Sequence, residues 1–381
     1  MNKTWDLFCR VIDNYGDIGV SWRLAKLLHH DHQQTVRLWL DQPQALAAME
    51  PDYDPGREQQ VCHGITIRHW LDDFSEIQPA TVVIETFGCE LPTAYRQAMR
   101  NQSAQPIWLN LEYLSAESWV SDFHLRPSKQ PCGLDKTFFF PGLRPSTGGL
   151  MREGDYAQRQ QAITKSTTQN TTLPNGLTLA KNTFKISVFC YENNALQELI
   201  NILSEPHIPL PKGYDSVTLL IPAGRAHGGL ARAIQTRLAT DGYWQQGRIH
   251  LYSLPFMSQT DYDQLLLKAD LNFVRGEESF VRAQWAAKPF VWHIYPTDDD
   301  AHWNKLHAFN DAYTGGMESQ LEQTIRDWQI AWNQQQLNKQ VWLDLVNHWP
   351  AWQQHAIHWA QQLEKIGELS TNLVKFVQSK V

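Results

Sequence analysis

Short apolar runs alternate along the chain with longer stretches whose apolar positions recur at helical spacing. In the first half, Trp5 to Ile12 is one apolar run, and Ser21 to Leu28 follows with a helical period. Further apolar runs occur near Val36 and Pro106, with helix-length segments between them. Strands that alternate with helices predict βαβ units, and an unbroken run such as Thr81–Glu85 is typical of a strand buried in a parallel sheet.

The alternation of apolar runs with helical segments stops near the middle of the chain and then resumes. Residues 158–183 are rich in Gln, Thr, Ser and Asn, and their lack of a period predicts a linker or mobile loop. Apolar runs then resume at Phe184, Ser216, Arg248, Ala269 and Lys288. We therefore expect two parallel α/β domains, residues 1–157 and 184–350, followed by C-terminal helices over 351–381.

The C-terminal segment contains regularly spaced tryptophans, and its pattern is helical. Trp342, Trp349, Trp352 and Trp359 are seven, three and seven residues apart, which places three or four of them on one helical face. Packing into the core is the preferred interpretation, and a stripe that stacks on carbohydrate is the alternative.

Composition and charge narrow the function classes. The chain has 381 residues, of which 42% are hydrophobic and 19% charged, as expected for about two globular domains. The net charge of -7 argues against a general nucleic-acid binder, although it allows a local site for one phosphorylated ligand. Five scattered cysteines without a CxxC pair favour reduced thiols over a disulfide frame or a zinc site. With no signal peptide or membrane span in the sequence, we expect a cytoplasmic protein.

The first motif with possible chemistry follows the first predicted strand. Asp13 and Asp17 lie there among glycines, which allow a ligand to come close to the backbone. The spacing is not that of a dinucleotide fingerprint, and the two carboxylates would repel a pyrophosphate. They suit a positively charged group or one that loses a proton, or they are simply turn residues and helix caps.

The second motif is the run from Asn272 to Arg282, in which a strand ends and a helix begins near Ser279. A helix N-terminus and Arg275 together could bind a phosphate, and an ordinary helix start is the alternative. A third feature, Phe256 with Gln259, could stack on a base and bond its edge, whereas a buried Phe is the plainer interpretation. The acidic run Asp298–Asp300 resembles a metal-binding cluster, but helix capping or solvated charge is favoured there.

Taken together, these motifs resemble the EarP family of protein-arginine rhamnosyltransferases, which modify translation elongation factor P. The matching stretches include FCRVIDNYGDIGVSWRLAKLL, TFGCELP, WLNLEYLSAESW, TGGLMRE, SVFCYEN, LPFMSQ and DLNFVRGEESFVRAQWAAKPFVWHIYP. They occur in order from about Phe8 to Phe309. The resemblance implies a GT-B glycosyltransferase, in which two Rossmann-like domains face each other across a cleft and the C-terminal helix crosses back to the N-terminal domain.

The resemblance also implies a reaction and its residues. The donor substrate would be dTDP-β-L-rhamnose, the acceptor one arginine of elongation factor P, and the transfer inverting, with no metal or cofactor. Asp17 would be the general base, Asp13 its orienting partner and Glu277 a donor-positioning residue. The other donor-binding residues would be Tyr191, Phe256, Gln259, Arg275, Gly276, Glu278 and Ser279. The glycine loop on the acceptor side would comprise Asn14, Tyr15, Gly16 and Gly19. At Glu278 the family usually has Asp.

The expected chemistry agrees with these residue types. A protonated arginine is a poor nucleophile, so a carboxylate must orient it and accept its proton as the new bond forms. Arg275 and a helix N-terminus would stabilise the departing diphosphate without a metal. The alternatives are a GT-B transferase with another acceptor, a non-catalytic nucleotide-sugar binding protein, and a nucleotide-sugar epimerase of related fold.

Overall fold

The structure is a computed structural model that describes residues 3–12, 15–70, 74, 77–166 and 171–380. The chain divides into two compact units. Unit 1 comprises Met1–Gly154 and Leu363–Val381, and unit 2 comprises Asp155–Gln362. Each unit is described on its own below.

Unit 1 alternates strands and helices as the apolar pattern predicts. Its strands are β1 (Thr4–Cys9), β2 (Thr35–Leu40), β3 (Gln59–Cys62), β4 (Ile65–His69), β5 (Val82–Thr86), β6 (Ile107–Leu111), β7 (Pro127–Lys129) and β8 (Asp135–Phe139). Its helices are α1 (Gly16–His30), α2 (Pro43–Ala47), α3 (Thr93–Asn101), α4 (Val120–Phe123) and, at the end of the chain, α13 (Leu369–Ser379).

These strands form one sheet in the order β3-β4-β2-β1-β5-β6-β8-β7. The inner strands are parallel, and the antiparallel strands β3 and β7 close the two edges as hairpins. The chain leaves β1 toward β2 on one side and later returns to place β5 on the other. The carboxyl ends of β1 and β5 therefore lie at a topological switch point, where ligands bind in open α/β sheets.

Both faces of this sheet are covered by packed side chains. Successive residues of a strand point to opposite faces, so one strand contributes to both clusters. In β1, Trp5, Leu7 and Cys9 pack into the cluster that contains α1 and α13, whereas Phe8 packs into the opposite cluster. This two-sided burial explains why the parallel strands read as continuous apolar runs in the sequence.

Unit 2 repeats the same plan. Its strands are β9 (Thr171–Thr172), β10 (Thr178–Leu179), β11 (Thr183–Val188), β12 (Ser216–Pro222), β13 (Tyr243–Gln246), β14 (Ile249–Leu254), β15 (Leu271–Arg275) and β16 (Phe290–His293). Its helices are α5 (Tyr156–Ser166), α6 (Ala195–Ser204), α7 (Arg232–Asp241), α8 (Gln259–Lys268), α9 (Glu278–Trp285), α10 (Ala301–Thr314), α11 (Ser319–Asn333) and most of α12 (Lys339–Ile366), with a 3-10 helix at Arg225–Gly229.

The main sheet of unit 2 has the order β13-β14-β12-β11-β15-β16, in which all pairs are parallel except the edge pair of β13 and β14. Its switch point lies between β11 and β15. The predicted α/β class with two Rossmann-like domains is confirmed, since each unit has a parallel sheet with the same central strand order.

The structure differs from the sequence-based division in two places. The segment expected to be a linker, residues 158–183, contains most of α5 and the short antiparallel hairpin of β9 and β10. Its polar composition hides a helix that is anchored at buried Tyr156 and by Gln160, whose amide donates to the Trp285 carbonyl at 3.3 Å. The boundary expected at 350/351 falls inside α12, which runs through Pro350.

The tryptophans of the C-terminal segment are core residues. Trp342, Trp349, Trp352 and Trp359 all lie on α12 and all are buried. Packing is therefore the correct interpretation of their spacing, and a carbohydrate-stacking stripe is excluded.

The cysteines are free thiols, of which Cys9, Cys89 and Cys190 are buried. Burial raises the pKa of both the Cys9 and the Cys190 thiol to about 12, so both are neutral packing groups. Within the part of the chain that the structure describes, no helix is both long enough and apolar enough to cross a membrane.

Candidate active site

Asp17 lies in the first turn of α1, at the switch point of unit 1. Its side chain is buried, with 2% exposure. Oδ2 accepts a hydrogen bond from the Ile12 backbone N–H at 2.8 Å, and Oδ1 accepts one from the Tyr113 hydroxyl at 3.1 Å. Both carboxylate oxygens are thus held in place by donors that carry no charge.

Tyr113 is a residue that the sequence analysis did not single out. It follows β6, and its ring stacks on Phe87, which follows β5, with 4.1 Å between centroids and 12° between planes. The Phe87 backbone is left-handed, with φ 56°, and its N–H donates to the Leu111 carbonyl at 2.7 Å. The ends of two neighbouring strands therefore fix the ring whose hydroxyl reaches Asp17.

The loop between β1 and α1 is anchored on its β2 side. The Val11 N–H donates to Asp41 Oδ1 at 2.9 Å, and the Gln42 amide donates to the Val11 carbonyl at 3.1 Å. Tyr15 precedes α1, and its carbonyl accepts from the Gly19 N–H at 3.0 Å, which is the first hydrogen bond of the helix that begins at Gly16. Two predicted residues of this loop, Asp13 and Asn14, lie outside the described residues.

In unit 2, Arg275 occupies the carboxyl end of β15, at the switch point. Its guanidinium lies over the Phe189 ring at 4.4 Å and over the Tyr191 ring at 4.9 Å. Nη1 also donates to the Cys190 carbonyl at 3.4 Å. Three residues that follow β11 therefore orient the arginine through two aromatic faces and one backbone carbonyl.

A tight turn connects Arg275 to α9. Gly276 has a φ of +59°, a conformation that favours glycine, and its carbonyl accepts from Trp292 Nε1 at 2.9 Å. Ser279 Oγ accepts from the Arg275 N–H at 3.0 Å and donates to the Arg275 carbonyl. The Ser279 hydroxyl therefore closes the turn in this structure, a role that the resemblance did not imply.

The two glutamates of the motif begin α9. Glu277 is the residue before the helix, and Glu278 lies in the first turn. Glu278 Oε1 accepts from the amide of Gln259 at 3.4 Å, and Gln259 is the first residue of α8. Phe256, on the loop before α8, is 43% exposed, so the plainer interpretation of a buried ring does not hold.

Two further residues lie beside Arg275. Gly224 follows β12, and a Cβ built on it would lie 3.8 Å from the arginine Nη2. His293 ends β16, pairs in register with Arg275 and packs its ring 5.2 Å from that of Tyr191. Burial, aided by the Arg275 charge, lowers the pKa of His293 to about 4. In the sequence, Gly224 and His293 lie in the second halves of the predicted apolar runs that begin at Ser216 and Lys288.

The acidic run Asp298–Asp300 is exposed and precedes α10. Asp299 Oδ1 accepts from the Ala301 N–H at 3.2 Å. A hydrogen bond with the Thr297 side chain, and then this one with Ala301, lower the pKa of Asp299. In the described part of the chain, these three side chains do not bring their carboxylates together as a metal-ligand group. The capping interpretation is therefore the one that the geometry supports.

Known proteins resemble this chain along nearly its whole length. Residues 5–378 match the family described as Elongation-Factor P (EF-P) rhamnosyltransferase EarP. The chain belongs to the EarP family. A curated protein-arginine rhamnosyltransferase from Pseudomonas putida is 42% identical over 384 residues, and the match covers 100% of both chains. The predicted enzyme class, a protein-arginine rhamnosyltransferase, is confirmed.

Solved structures agree on the fold. One described as "Structural basis for EarP-mediated arginine glycosylation of translation elongation factor EF-P" matches with a TM-score of 0.66 and 29% identity, covering 100% of both chains. The spinosyn rhamnosyltransferase SpnG matches with a TM-score of 0.53 over 99% of this chain and 100% of that one, at 10% identity. At that identity the likeness to SpnG concerns the fold alone. The GT-B class predicted from the sequence is confirmed.

Proposed function

We propose that this enzyme transfers L-rhamnose from dTDP-β-L-rhamnose to one arginine side chain of translation elongation factor P, with inversion and without a metal. The observation that carries this proposal is the guanidinium of Arg275, oriented at the switch point of unit 2 by rings and a carbonyl. Because the acceptor is a translation factor, we place the reaction in the cytoplasm.

Unit 2 supplies the donor side of the proposed reaction. Arg275 binds the diphosphate through its fork of N–H donors, and the backbone N–H groups of the first turn of α9 add to the anion site. Phe256 stacks on the thymine, and Gln259 bonds its edge. Tyr191, Gly276, Glu277, Glu278 and Ser279 surround the phosphates and sugar, and Glu277 positions the sugar through its hydroxyl groups. In Glu278 the longer side chain reaches Gln259, so it acts partly by placing that amide.

Unit 1 supplies the acceptor side. Asp13 and Asp17 orient the acceptor guanidinium, and the glycine loop with Asn14, Tyr15, Gly16 and Gly19 leaves room for its approach. A guanidino nitrogen attacks the anomeric carbon as the bond from that carbon to the diphosphate oxygen breaks. The electron pair leaves with dTDP, Asp17 takes the proton from the guanidinium, and in-line attack inverts the anomeric centre.

Charge stabilisation in this scheme comes from protein groups. Negative charge develops on the departing diphosphate, where Arg275 and the helix N-terminus stabilise it. The exposed, capping position of Asp298–Asp300 supports a reaction in which those carboxylates hold no metal. We therefore propose that no metal and no cofactor take part.

The proposal is tested by intact-protein mass spectrometry of elongation factor P after incubation with this enzyme, dTDP-β-L-rhamnose and EDTA. We expect the mass of one deoxyhexose residue to be added, and peptide mapping to place it on a single arginine. Nuclear magnetic resonance of the glycopeptide should show an α-linkage, the inverted product. No addition despite donor binding would point to another acceptor, and addition only without EDTA would contradict metal independence.

A variant of Asp17 tests the assignment of the base. Asp17→Asn keeps the size of the side chain but removes the charge that accepts the proton, so kcat should fall about 10²- to 10⁴-fold. Donor affinity should be unchanged, because the donor binds unit 2. Asp41→Asn, which changes a nearby carboxylate that bonds the Val11 backbone, is the matched control. Undiminished turnover by Asp17→Asn would overturn the assignment.

A further inference from the structure

Three side chains with different donor atoms meet at the edge of unit 1 where the β3–β4 hairpin turns. Glu50, Cys62 and His63 each offer one ligand atom, and these atoms lie within 4.8 Å of one another. The His63 Nε2 and Glu50 Oε2 atoms are 3.1 Å apart, close to the separation of two ligands on one small cation. Glu50 follows α2, so the cluster joins two parts of the chain that are distant in sequence.

The carboxylate of Glu50 is oriented by residues of α1. Trp22 Nε1 donates to Oε1 at 2.6 Å, and Lys26 Nζ lies 3.5 Å from the same oxygen. Oε2 is thereby turned toward the hairpin. Groups that fix the orientation of a ligand from behind are typical of metal sites in proteins.

The turn itself presents the other two ligands. His63 and Gly64 have left-handed backbones, with φ 51° and 78°, as in the two-residue turns of hairpins. A Cβ on Gly64 would lie 2.2 Å from His29 Nε2, so His29, near the end of α1, packs directly against this turn. The backbone of the turn is therefore fixed, while the His63 side chain remains 51% exposed and able to take a ligand position.

We propose that Glu50, Cys62 and His63 form a zinc site that fastens the β3–β4 hairpin to α1 and α2. Thiolate, imidazole and carboxylate are the donors that Zn²⁺ takes in proteins, whereas Mg²⁺ and Ca²⁺ prefer oxygen donors alone. A water molecule fills the fourth tetrahedral position, and the thiol proton passes to solvent on binding. Thiolate and carboxylate together neutralise the Zn²⁺ charge, so the neighbouring Lys26 does not oppose it.

The position in the fold assigns this site a structural role. β4 runs parallel to β2 and β1, and the hairpin turn precedes β4. The site therefore lies at the amino ends of the parallel strands, opposite the edge that holds Asp17. Zinc should stabilise unit 1 without taking part in rhamnosyl transfer.

The proposal is tested by titrating untagged, metal-free enzyme with Zn²⁺ against a chromophoric chelator. We expect one zinc ion per chain, and an affinity that falls more than about tenfold in Cys62→Ser and in His63→Asn. Asparagine tolerates the left-handed backbone at position 63, so the turn should survive that change. Cys132→Ser, which alters the other half-buried cysteine, should bind zinc as the unaltered enzyme does.

Two further measurements identify the ligands and the role. Cobalt bound to the unaltered enzyme should show thiolate-to-metal charge-transfer absorption, which Cys62→Ser should lack. Zinc should raise the unfolding temperature of the unaltered enzyme but not of His63→Asn. Transferase activity should be the same with and without zinc. No zinc uptake, or equal affinity in Cys62→Ser, His63→Asn and the unaltered enzyme, would overturn the proposal.

Discussion

At the scale of single residues, one hydroxyl group connects the aromatic pair of unit 1 to Asp17. Tyr113→Phe removes that donor but leaves the ring stacked on Phe87. A hydrogen bond to a charged group contributes about 1.5–3 kcal/mol, so kcat should fall at least about tenfold if the hydroxyl orients the base. The measurement is steady-state transfer to elongation factor P, with kcat and the KM for the donor determined separately.

The contrast between kcat and KM distinguishes orientation of the base from general damage. Because Tyr113 belongs to unit 1, the donor KM should stay constant. Tyr243→Phe removes another tyrosine hydroxyl, on an edge strand of unit 2, and should change neither constant. A Tyr113→Phe enzyme with an unchanged kcat would show that the hydroxyl does not matter to Asp17.

A second residue-scale prediction concerns His293 and pH. Burial, with the Arg275 charge, lowers its folded pKa to about 4, below the unfolded value of 6.5. Between pH 6.5 and 4 the unfolded histidine binds a proton and the folded one does not. The free energy of unfolding therefore decreases as the pH falls through this range, and above pH 6.5 this histidine has no such effect. At pH 5 the loss should be about 2 kcal/mol.

Replacing the histidine should remove this pH dependence. The comparison is the free energy of unfolding of His293→Gln minus that of the unaltered enzyme. When the pH is lowered from 7 to 5, this difference should rise by about 2 kcal/mol, whatever its value at pH 7. Urea unfolding at both pH values measures the difference. His207→Gln, at a largely exposed histidine, should show no such change. A constant difference for His293→Gln would mean that the buried ring is not held neutral.

At the scale of elements, the second arginine of the motif that begins at Asn272 connects helices of unit 2. Arg282 on α9 is buried and makes two hydrogen bonds of 2.8 Å to Asp263 on α8. Its guanidinium also lies 4.7 Å from the ring centre of Tyr156 on α5, and Arg159 of α5 approaches Asp263 at 3.8 Å. One buried ion pair and the contacts around it therefore hold three helices of unit 2 together.

Arg282→Lys should destabilise the protein by about 3 kcal/mol, because lysine cannot replace the planar fork and leaves a buried carboxylate imperfectly paired. The unfolding temperature measures this effect. Donor affinity at a temperature where the variant is folded should change little. Arg237→Lys, at an exposed ion pair within α7, is the control and should be nearly neutral. A stable variant that has lost donor binding would instead place Arg282 in the site.

At the scale of the whole molecule, the sequence predicts most of the fold because parallel strands buried on both faces read as apolar runs. Thr81–Glu85 is such a run, and β5 forms there. Helix α5 was missed because it is anchored mainly at Tyr156 and Gln160 and otherwise has a polar sequence. Its segment therefore resembled a linker in composition.

The site could be predicted only in part, and the reason is again physical. Asp17 and Arg275 follow predicted strands, so their places at strand ends were accessible from the sequence. The partner of Asp17, Tyr113, lies 96 residues further along the chain, and its hydroxyl reaches the carboxylate only through the pairing of β1, β5 and β6. His293 reaches Arg275 only through the register of β15 and β16. Local sequence patterns do not predict which strands pair or in which register.

The last helix makes the stability of unit 1 depend on the end of the chain. α13 buries Leu369, Leu373 and Val377 in the same cluster as α1 and β1. The segment before it is seated on the TGGLMRE motif, since a Cβ on Gly149 would lie 2.2 Å from the Gly367 carbonyl oxygen. The first strand of unit 1 and its last helix therefore share one core, although more than 200 residues of unit 2 lie between their parts of the chain.

Leu373→Ala should therefore destabilise unit 1 by about 2–5 kcal/mol, because it removes a fully buried side chain from that shared core. Hydrogen exchange followed by mass spectrometry should show faster exchange in β1, β2 and α1, whereas β11, β12 and β15 of unit 2 should keep their protection. Lys375→Ala, on the exposed side of the same helix, should leave both units unchanged. Equal loss of protection in the two units would show that they unfold as one, and unchanged exchange in unit 1 would show that α13 is not needed for its core.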